Sequence, residues 1–173
     1  MTAMLSRRAA LAGTAALALG SAARAEATLP APTGPVLLEV GGSIRLTNGG
    51  GTARFDRAML NALPQTGFET ASPWTEKPAR FDGIAGSALV EALGAFGREV
   101  VAVALNDYRV TIPIADFAPG GLLIASKVDG QPIPVRARGP LWIVYPFDAK
   151  PAFRTELFYS RSIWQLRRLE FQS

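Results

Sequence analysis

The chain has 173 residues, with 18 lysines and arginines, 14 aspartates and glutamates, and neither cysteine nor histidine. Without a thiolate or an imidazole it cannot build a Cys or His metal site, a Ser-His-Asp triad, a cysteine nucleophile or a disulfide. The remaining side chains favour a protein that binds a ligand over one that transforms it.

Residues 1–25 are organised like a secretory signal peptide. Arg7 and Arg8 form a positive start, Ala9 to Leu19 is an apolar run too short to span a bilayer, and Ala23-Arg24-Ala25 is a small-x-small cleavage site. The arginine pair half-matches a twin-arginine signal, so the sequence leaves both Sec and Tat export open. We therefore expect an exported mature protein.

The leader also carries much of the positive charge. Removing Arg7, Arg8 and Arg24 leaves 15 basic against 14 acidic residues, so the formal net charge falls from +4 to +1. This near-neutral balance argues against nucleic-acid binding, which requires concentrated positive charge. The roughly 148 remaining residues suit one domain. We assign proline-containing residues 26–35 to an extended leader and residues 36–173 to that domain.

The first predicted elements are two strands and a helix. Val36–Val40 is apolar and Ser43–Thr47 alternates, which predicts two strands separated by a glycine pair. Asp56 is a suitable N-cap for a short helix that ends at Ala62, before a proline.

A second helix is predicted over Ala88–Phe96, with Ser87 before it and Gly97 at its C-cap, because its apolar residues recur at helical spacing. The remaining patterns are those of β-strands. Asp129-Gly130 is a strong hairpin signal between strands. The strand-like segments are Val100–Leu105, Tyr108–Ile112, Leu122–Val128, Leu141–Tyr145 and Ser162–Phe171.

Strands therefore outnumber helices, and the helices do not follow the regular rhythm of a parallel βαβ fold. The sequence predicts an α+β domain with a mixed, largely antiparallel sheet and short helices.

Asn106-Asp107-Tyr108 lies between two predicted strands, where a loop can present polar groups from a rigid base. The Asp107 carboxylate could accept paired hydrogen bonds from a ligand with adjacent N–H groups, such as the edge of a pterin. The alternative is an ordinary turn in which the Asn106 and Asp107 side chains cap their own backbone.

Other candidates are loop arginines and aromatic residues. Arg136 and Arg138 could hold a phosphate or carboxylate, although exposed loop arginines are also commonly solvated. Glu156 and Arg161 could form an orienting ion pair or face a partner. Flat rings could stack on a heterocycle, although core packing is the alternative for each of them. These aromatic candidates are Trp74, Trp142, Tyr145 and Trp164.

Taken in order, several blocks resemble the molybdopterin-binding domain of the sulfite oxidase family. The similarity extends over roughly Phe81 to Phe171 and is carried by the ordered set rather than by any one block. The blocks are Leu89-Val90-Glu91-Ala92-Leu93, Ala104-Leu105-Asn106-Asp107-Tyr108 with Ile112-Pro113, Leu122-Leu123-Ile124-Ala125, Asp129-Gly130-Gln131-Pro132-Ile133 and Gly139-Pro140-Leu141-Trp142-Ile143-Val144-Tyr145-Pro146.

The chain departs from that family at two points. The family holds molybdenum through a cysteine thiolate and the cofactor dithiolene, but the corresponding segment, Leu63 to Thr70, contains no cysteine. Trp142 stands where the family commonly has an arginine, so a stacking face replaces a charged fork. The resemblance thus implies a cleft for a pterin or molybdopterin-like ligand without thiolate-bound molybdenum.

Three short motifs resemble those of a small exported branch of this fold, the periplasmic pterin-binding regulators of cyclic-di-GMP enzymes. The motifs are Ala104-Leu105-Asn106-Asp107-Tyr108, Gly139-Pro140-Leu141-Trp142 and Arg161-Ser162-Ile163-Trp164-Gln165-Leu166. That resemblance implies a non-catalytic periplasmic protein that binds a pterin and signals to a membrane-bound sensor with a periplasmic domain. Two alternatives stay open. One is a molybdopterin-dependent oxidoreductase, or a subunit of one, that retains the molybdenum cofactor without a cysteine ligand. The other is an interaction domain with an empty site.

Overall fold

The computed structural model describes residues 29–173 and contains two sheets and three short α-helices. The predicted signal peptide lies outside these residues. The helices are α1 (Arg57–Ala62), α2 (Gly86–Leu93) and α3 (Glu156–Arg161). The strands are β1 (Leu38–Gly42), β2 (Ala53–Phe55), β3 (Gln65–Thr70), β4 (Ala79–Ala85), β5 (Glu99–Ala104), β6 (Arg109–Pro113), β7 (Leu123–Val128), β8 (Gln131–Pro132), β9 (Trp142–Val144) and β10 (Leu166–Gln172).

The first sheet has the strand order β2-β1-β10-β5-β6. Only β1 and β10 run parallel in it, and the other neighbours are antiparallel. In the second sheet β3, β4 and β7 lie side by side, and β7 pairs with both β8 and β9. All pairings of the second sheet are antiparallel. The α+β, largely antiparallel fold class predicted from the sequence is confirmed.

One hydrophobic core joins the two sheets and α2. Leu38 and Val40 of β1 alternate inward, and Leu169 of β10 adds to the same layer. Phe81 of β4 and Leu89 of α2 join this cluster from the other side and are fully buried. Because both sheets share one core, the turns at their ends are held in fixed positions relative to one another.

Local signals predicted several elements correctly. Asp56 is the N-cap of α1, and its Oδ1 accepts a hydrogen bond from the Met59 amide at 2.9 Å. Asp129 and Gly130 form the hairpin turn between β7 and β8. Both signals depend on contacts within a few residues, which is why they can be identified from the sequence.

Several element boundaries differ from the prediction, and one predicted strand does not form. Helix α2 ends at Leu93, and its C-cap is Gly94, whose φ of 56° is left-handed, rather than Gly97. Its N-cap is Ala85 rather than Ser87. Ser43–Thr47 is not a strand, because the Arg45 and Leu46 amides turn to the Leu93 carbonyl at the end of α2. The predicted strand Ser162–Phe171 begins only at Leu166.

Candidate functional site

An open groove of about 390 Å³ lies where the β5–β6 turn, the loop after β3 and the α3 region meet. Its volume is in the range of sites for small organic ligands, roughly 300–1,000 Å³. It combines aromatic walls with a carboxylate, an amide and hydroxyl groups. We call it the aromatic groove; its lining residues are Trp74, Ala104, Asn106, Tyr108, Glu156, Tyr159, Ser160, Ser162, Ile163 and Trp164.

Trp74 is the centre of the aromatic wall. Its ring meets Trp164 and Tyr159 edge to face, with each pair of centroids 5.9 Å apart, and it meets the core ring of Trp142 at 5.6 Å. Trp164 keeps 40% of its surface exposed and Tyr108 keeps 50%. Core packing therefore holds Trp74 on one side while exposed aromatic surface faces the groove, as stacking of a flat ligand requires.

Helix α3 has two faces with different roles. Glu156, Tyr159 and Ser160 are spaced three and four residues apart, so they lie on one face and line the groove. Phe158 and Arg161, also three apart, lie on another face: the Phe158 ring packs on Tyr145 at 5.0 Å, and Arg161 pairs with Asp116. One face of the helix therefore lines the groove, while the other face fixes the helix to the core.

The turn between β5 and β6 places its three polar residues differently. The Asn106 Oδ1 accepts a hydrogen bond from the Tyr108 amide at 3.2 Å, and both residues line the groove. Asp107 has a left-handed φ of 65° and its carboxylate pairs with Arg167, outside the groove. The carboxylate that faces the groove is that of Glu156.

The two predicted loop arginines also lie outside the groove. Arg136 is exposed on a 3₁₀ turn. Arg138 is half-buried, and its guanidinium lies 5.4 Å from the Trp142 ring and 5.7 Å from the Trp164 ring. Cation–π contacts of this kind fix ring orientation, so Arg138 supports the groove through Trp164.

Trp142 and Tyr145 do not offer the exposed stacking faces that the sequence suggested. Trp142 is buried, its Nε1 donates to the Ser162 carbonyl at 3.1 Å, and its ring packs on Phe81. Tyr145 is fully buried, and its hydroxyl donates to the Asp116 Oδ2 at 2.8 Å. Burial, followed by the nearby Asp116 carboxylate, raises the pKa of the Tyr145 hydroxyl. Both rings belong to the core.

The groove thus unites part of the predicted site and adds residues that the sequence analysis missed. Predicted residues inside it are Trp74, Asn106, Tyr108, Glu156 and Trp164. Predicted residues outside it are Asp107, Arg136, Arg138, Trp142, Tyr145 and Arg161. The missed residues include Tyr159, Ser160 and Ser162, all in or next to α3. The spacing of Glu156, Tyr159 and Ser160 was the available signal, but α3 itself was not predicted.

A larger groove of about 470 Å³ is lined in part by Arg167 and Arg168. Both arginines are already paired, Arg167 with Asp107 and Arg168 with Glu39 and Glu170. It has no aromatic wall. The aromatic groove is therefore the stronger candidate for a flat organic ligand.

Within residues 29–173, no group of three or more acidic, His or Cys side chains is placed to hold a metal ion. No α-helix in the same range has the length and apolar character needed to cross a membrane.

Comparison with solved structures shows what fold these elements form. The chain is similar to the sulfane dehydrogenase SoxCD from Paracoccus pantotrophus, with a TM-score of 0.60 and 16% identity over 78% of this chain. The match spans only 37% of the SoxCD chain. No family model matches the sequence, and no curated protein matches it. The likeness supports the sulfite-oxidase-like fold expected from the sequence.

Proposed function

We propose that this protein is a non-catalytic binding protein for a pterin-type ligand, which it holds in the aromatic groove. The observation that carries this proposal is the placement of exposed Trp164 and Tyr108 beside the Glu156 carboxylate in one groove of about 390 Å³. A planar heterocycle needs a stacking face and a few fixed polar contacts, and the groove offers both.

The chemistry of a pterin edge matches the polar groups of the groove. A pterin presents adjacent N–H groups beside a carbonyl, and one carboxylate can accept two such hydrogen bonds. Glu156 takes this role in our proposal, and the Asn106 side-chain amide retains donors for the ring carbonyl or nitrogens. The hydroxyls of Tyr108 and Tyr159 are available to a polar tail.

The residues fit the pterin part of a molybdenum cofactor better than its metal. The chain has no cysteine to supply a thiolate. The segment in which the family's ligand is expected forms edge strand β3, and none of its residues lines the groove. Loss of a direct ligand removes much of the electronic control of a metal, whereas pterin binding requires only hydrogen bonds and apolar contact.

The likeness to a sulfane dehydrogenase favours a second candidate function. In this alternative the chain is a molybdopterin-dependent oxidoreductase, or a subunit of one, and retains the molybdenum cofactor without a protein thiolate.

The cellular role that we propose comes from the sequence. The signal-like residues 1–25 support export, and the resemblance to periplasmic pterin-binding regulators supports a periplasmic location and a membrane-bound sensor as partner. In this proposal, ligand occupancy of the groove controls docking on the sensor.

The two functions can be separated by the content of the native protein. The protein is purified from its native periplasm and denatured, and molybdenum and pterin fluorescence are measured in the released material. Fluorescence at one equivalent with no molybdenum supports the binding protein. Stoichiometric molybdenum overturns it and favours the oxidoreductase. Trp164→Ala protein prepared in parallel should lose the fluorescent ligand if the aromatic groove holds it.

A further inference from the structure

The geometry points to Asp116 as a positioning residue that anchors α3, and with it one wall of the aromatic groove, through a buried contact to Arg161 and Tyr145. This inference deepens the proposed function, since it concerns how the same groove is kept in shape. Asp116 lies on the 3₁₀ turn Ile114–Phe117 after β6 and does not line the groove.

One carboxylate oxygen of Asp116 accepts hydrogen bonds from both Tyr145 and Arg161. The Asp116 Oδ2 accepts a hydrogen bond from the Tyr145 hydroxyl at 2.8 Å and one from Arg161 Nη1 at 3.0 Å. The side chains of Arg161 and Asp116 are only 15% and 14% exposed. The three residues come from the end of α3, the 3₁₀ turn after β6 and the segment after β9, so the contact ties together three separate parts of the fold.

Aromatic packing encloses this contact. The Arg161 guanidinium lies 5.4 Å from the Phe158 ring. Phe158 meets Tyr145 at 5.0 Å and Phe153 at 4.8 Å, both edge to face. Asp116 and Tyr145 also border an open cavity of about 190 Å³. The ion pair is nevertheless screened less than an exposed pair would be, because both of its side chains are largely buried.

Arg161 depends strongly on Asp116. Among the described residues, Asp116 is its one ion-pair partner, and its buried Nε has no hydrogen-bond partner. Removing the carboxylate would leave a largely buried cation with no ion-pair partner among the described residues, which is strongly unfavourable. The end of α3 would then move so that the guanidinium could reach water.

Such a movement would reach the groove directly along the chain. Ser162, the next residue, lines the groove, and its carbonyl accepts the Trp142 Nε1 hydrogen bond at 3.1 Å. Trp164 follows two residues later, and its backbone forms an antiparallel β-bridge with Trp142. In the other direction, Glu156 and Tyr159 sit within the same helix. The anchor thus controls residues on both sides of Arg161.

The experiment uses the Asp116→Asn variant of the full chain, in which the amide oxygen can still accept from Tyr145 but the charge is lost. Peptide-resolved hydrogen exchange is measured over residues 155–164, where the Tyr159 and Ser162 amides are hydrogen-bonded within the α3 region. We expect exchange there to accelerate roughly ten- to a hundredfold, because charge-assisted hydrogen bonds contribute the matching free energy. Amides of β5 and β10 serve as the internal reference.

Affinity for biopterin, followed by its fluorescence, is the second readout. We expect Asp116→Asn to weaken it roughly tenfold, and Arg161→Met, which removes the charge, to do the same. Arg161→Lys keeps a cation for Asp116 and should recover much of the affinity. Asp82→Asn is the matched control, because it breaks an Asp–Arg pair on the surface of β4.

The outcomes separate this inference from the proposed function. Unchanged exchange over 155–164 in Asp116→Asn overturns the anchor, whatever the ligand does. Accelerated exchange with unchanged biopterin affinity also overturns it, because the groove wall then does not depend on Asp116. If the wild-type protein fails to bind biopterin, the pterin proposal fails for this ligand while local acceleration of exchange still supports the anchor.

Discussion

The indole rings of Trp74 and Trp164 meet edge to face with their centroids 5.9 Å apart, although the two residues come from separate loops. Trp74 is wedged against the core through Trp142, whereas Trp164 keeps 40% of its surface exposed. One indole therefore supports the other, and the exposed ring is available to a ligand. This relationship makes Trp164 the sharpest test of the groove.

Replacement of Trp164 by alanine should weaken biopterin binding roughly tenfold or more, because stacking of a flat base on an aromatic ring contributes roughly 1–3 kcal/mol. Phe96→Ala is the matched control: Phe96 is also an exposed aromatic residue, but it lies outside the groove. Affinity is measured by fluorescence titration and stability by thermal unfolding. Equal loss of affinity in both variants would argue against stacking on Trp164.

Glu156 and Asp107 are the two candidates for the carboxylate that recognises the ligand. The sequence drew attention to Asp107, but the structure places Glu156 in the groove and pairs Asp107 with Arg167. Glu156→Gln should weaken biopterin binding roughly tenfold through loss of a charge-assisted hydrogen bond. Asp107→Asn, which tolerates the same left-handed backbone, should leave the affinity nearly unchanged. The reverse pattern would assign recognition to Asp107.

These residues show which parts of the site can be predicted from the sequence. Asp56 and the Asp129-Gly130 turn were identifiable because their partners lie within a few residues. The direction of Asp107 was not, because its partner Arg167 is distant in sequence and belongs to β10. A turn motif predicts that a polar side chain is present, but tertiary contacts decide which way it points.

Burial on both faces of the strand explains why the sequence did not show that Trp142 and Tyr145 belong to the core. Trp142, Ile143 and Val144 of β9 are all buried, so alternation along the strand marks no exposed side. A continuous apolar run of this kind does not reveal which ring reaches a ligand.

Helix α3 was not predicted because its six residues give less than two turns of periodicity.

Stability in acid should depend on Asp56. Hydrogen bonds from the Met59 and Gly34 amides lower the pKa of the Asp56 carboxyl to about 2, with the Thr33 amide as a further donor. Because this pKa is below that of the unfolded chain, the stabilising contribution is fully present above about pH 4. It is lost as the pH falls through about 2.

The measurement for Asp56 compares the urea midpoints of wild-type protein and Asp56→Asn between pH 6 and pH 2. Asparagine can accept some of the same hydrogen bonds but carries no charge. The wild-type protein should be more stable at pH 6, and the difference should shrink between about pH 4 and about pH 2. A difference that stays constant over this interval would show that ionisation of Asp56 does not stabilise the fold.

Gly83 tests the close contact between β4 and β7. The register of the pair shifts between Asp82 and Gly83, and a Cβ at Gly83 would lie 2.1 Å from the Ile124 carbonyl oxygen. Because the obstacle is backbone, Gly83→Ala should lower the free energy of unfolding by roughly 1–3 kcal/mol. Gly49→Ala is the control, since a Cβ there meets no atom within 4 Å. The free energies of unfolding of the two variants are compared by urea titration. Equal urea midpoints for the two variants would mean that the strands separate easily at this point.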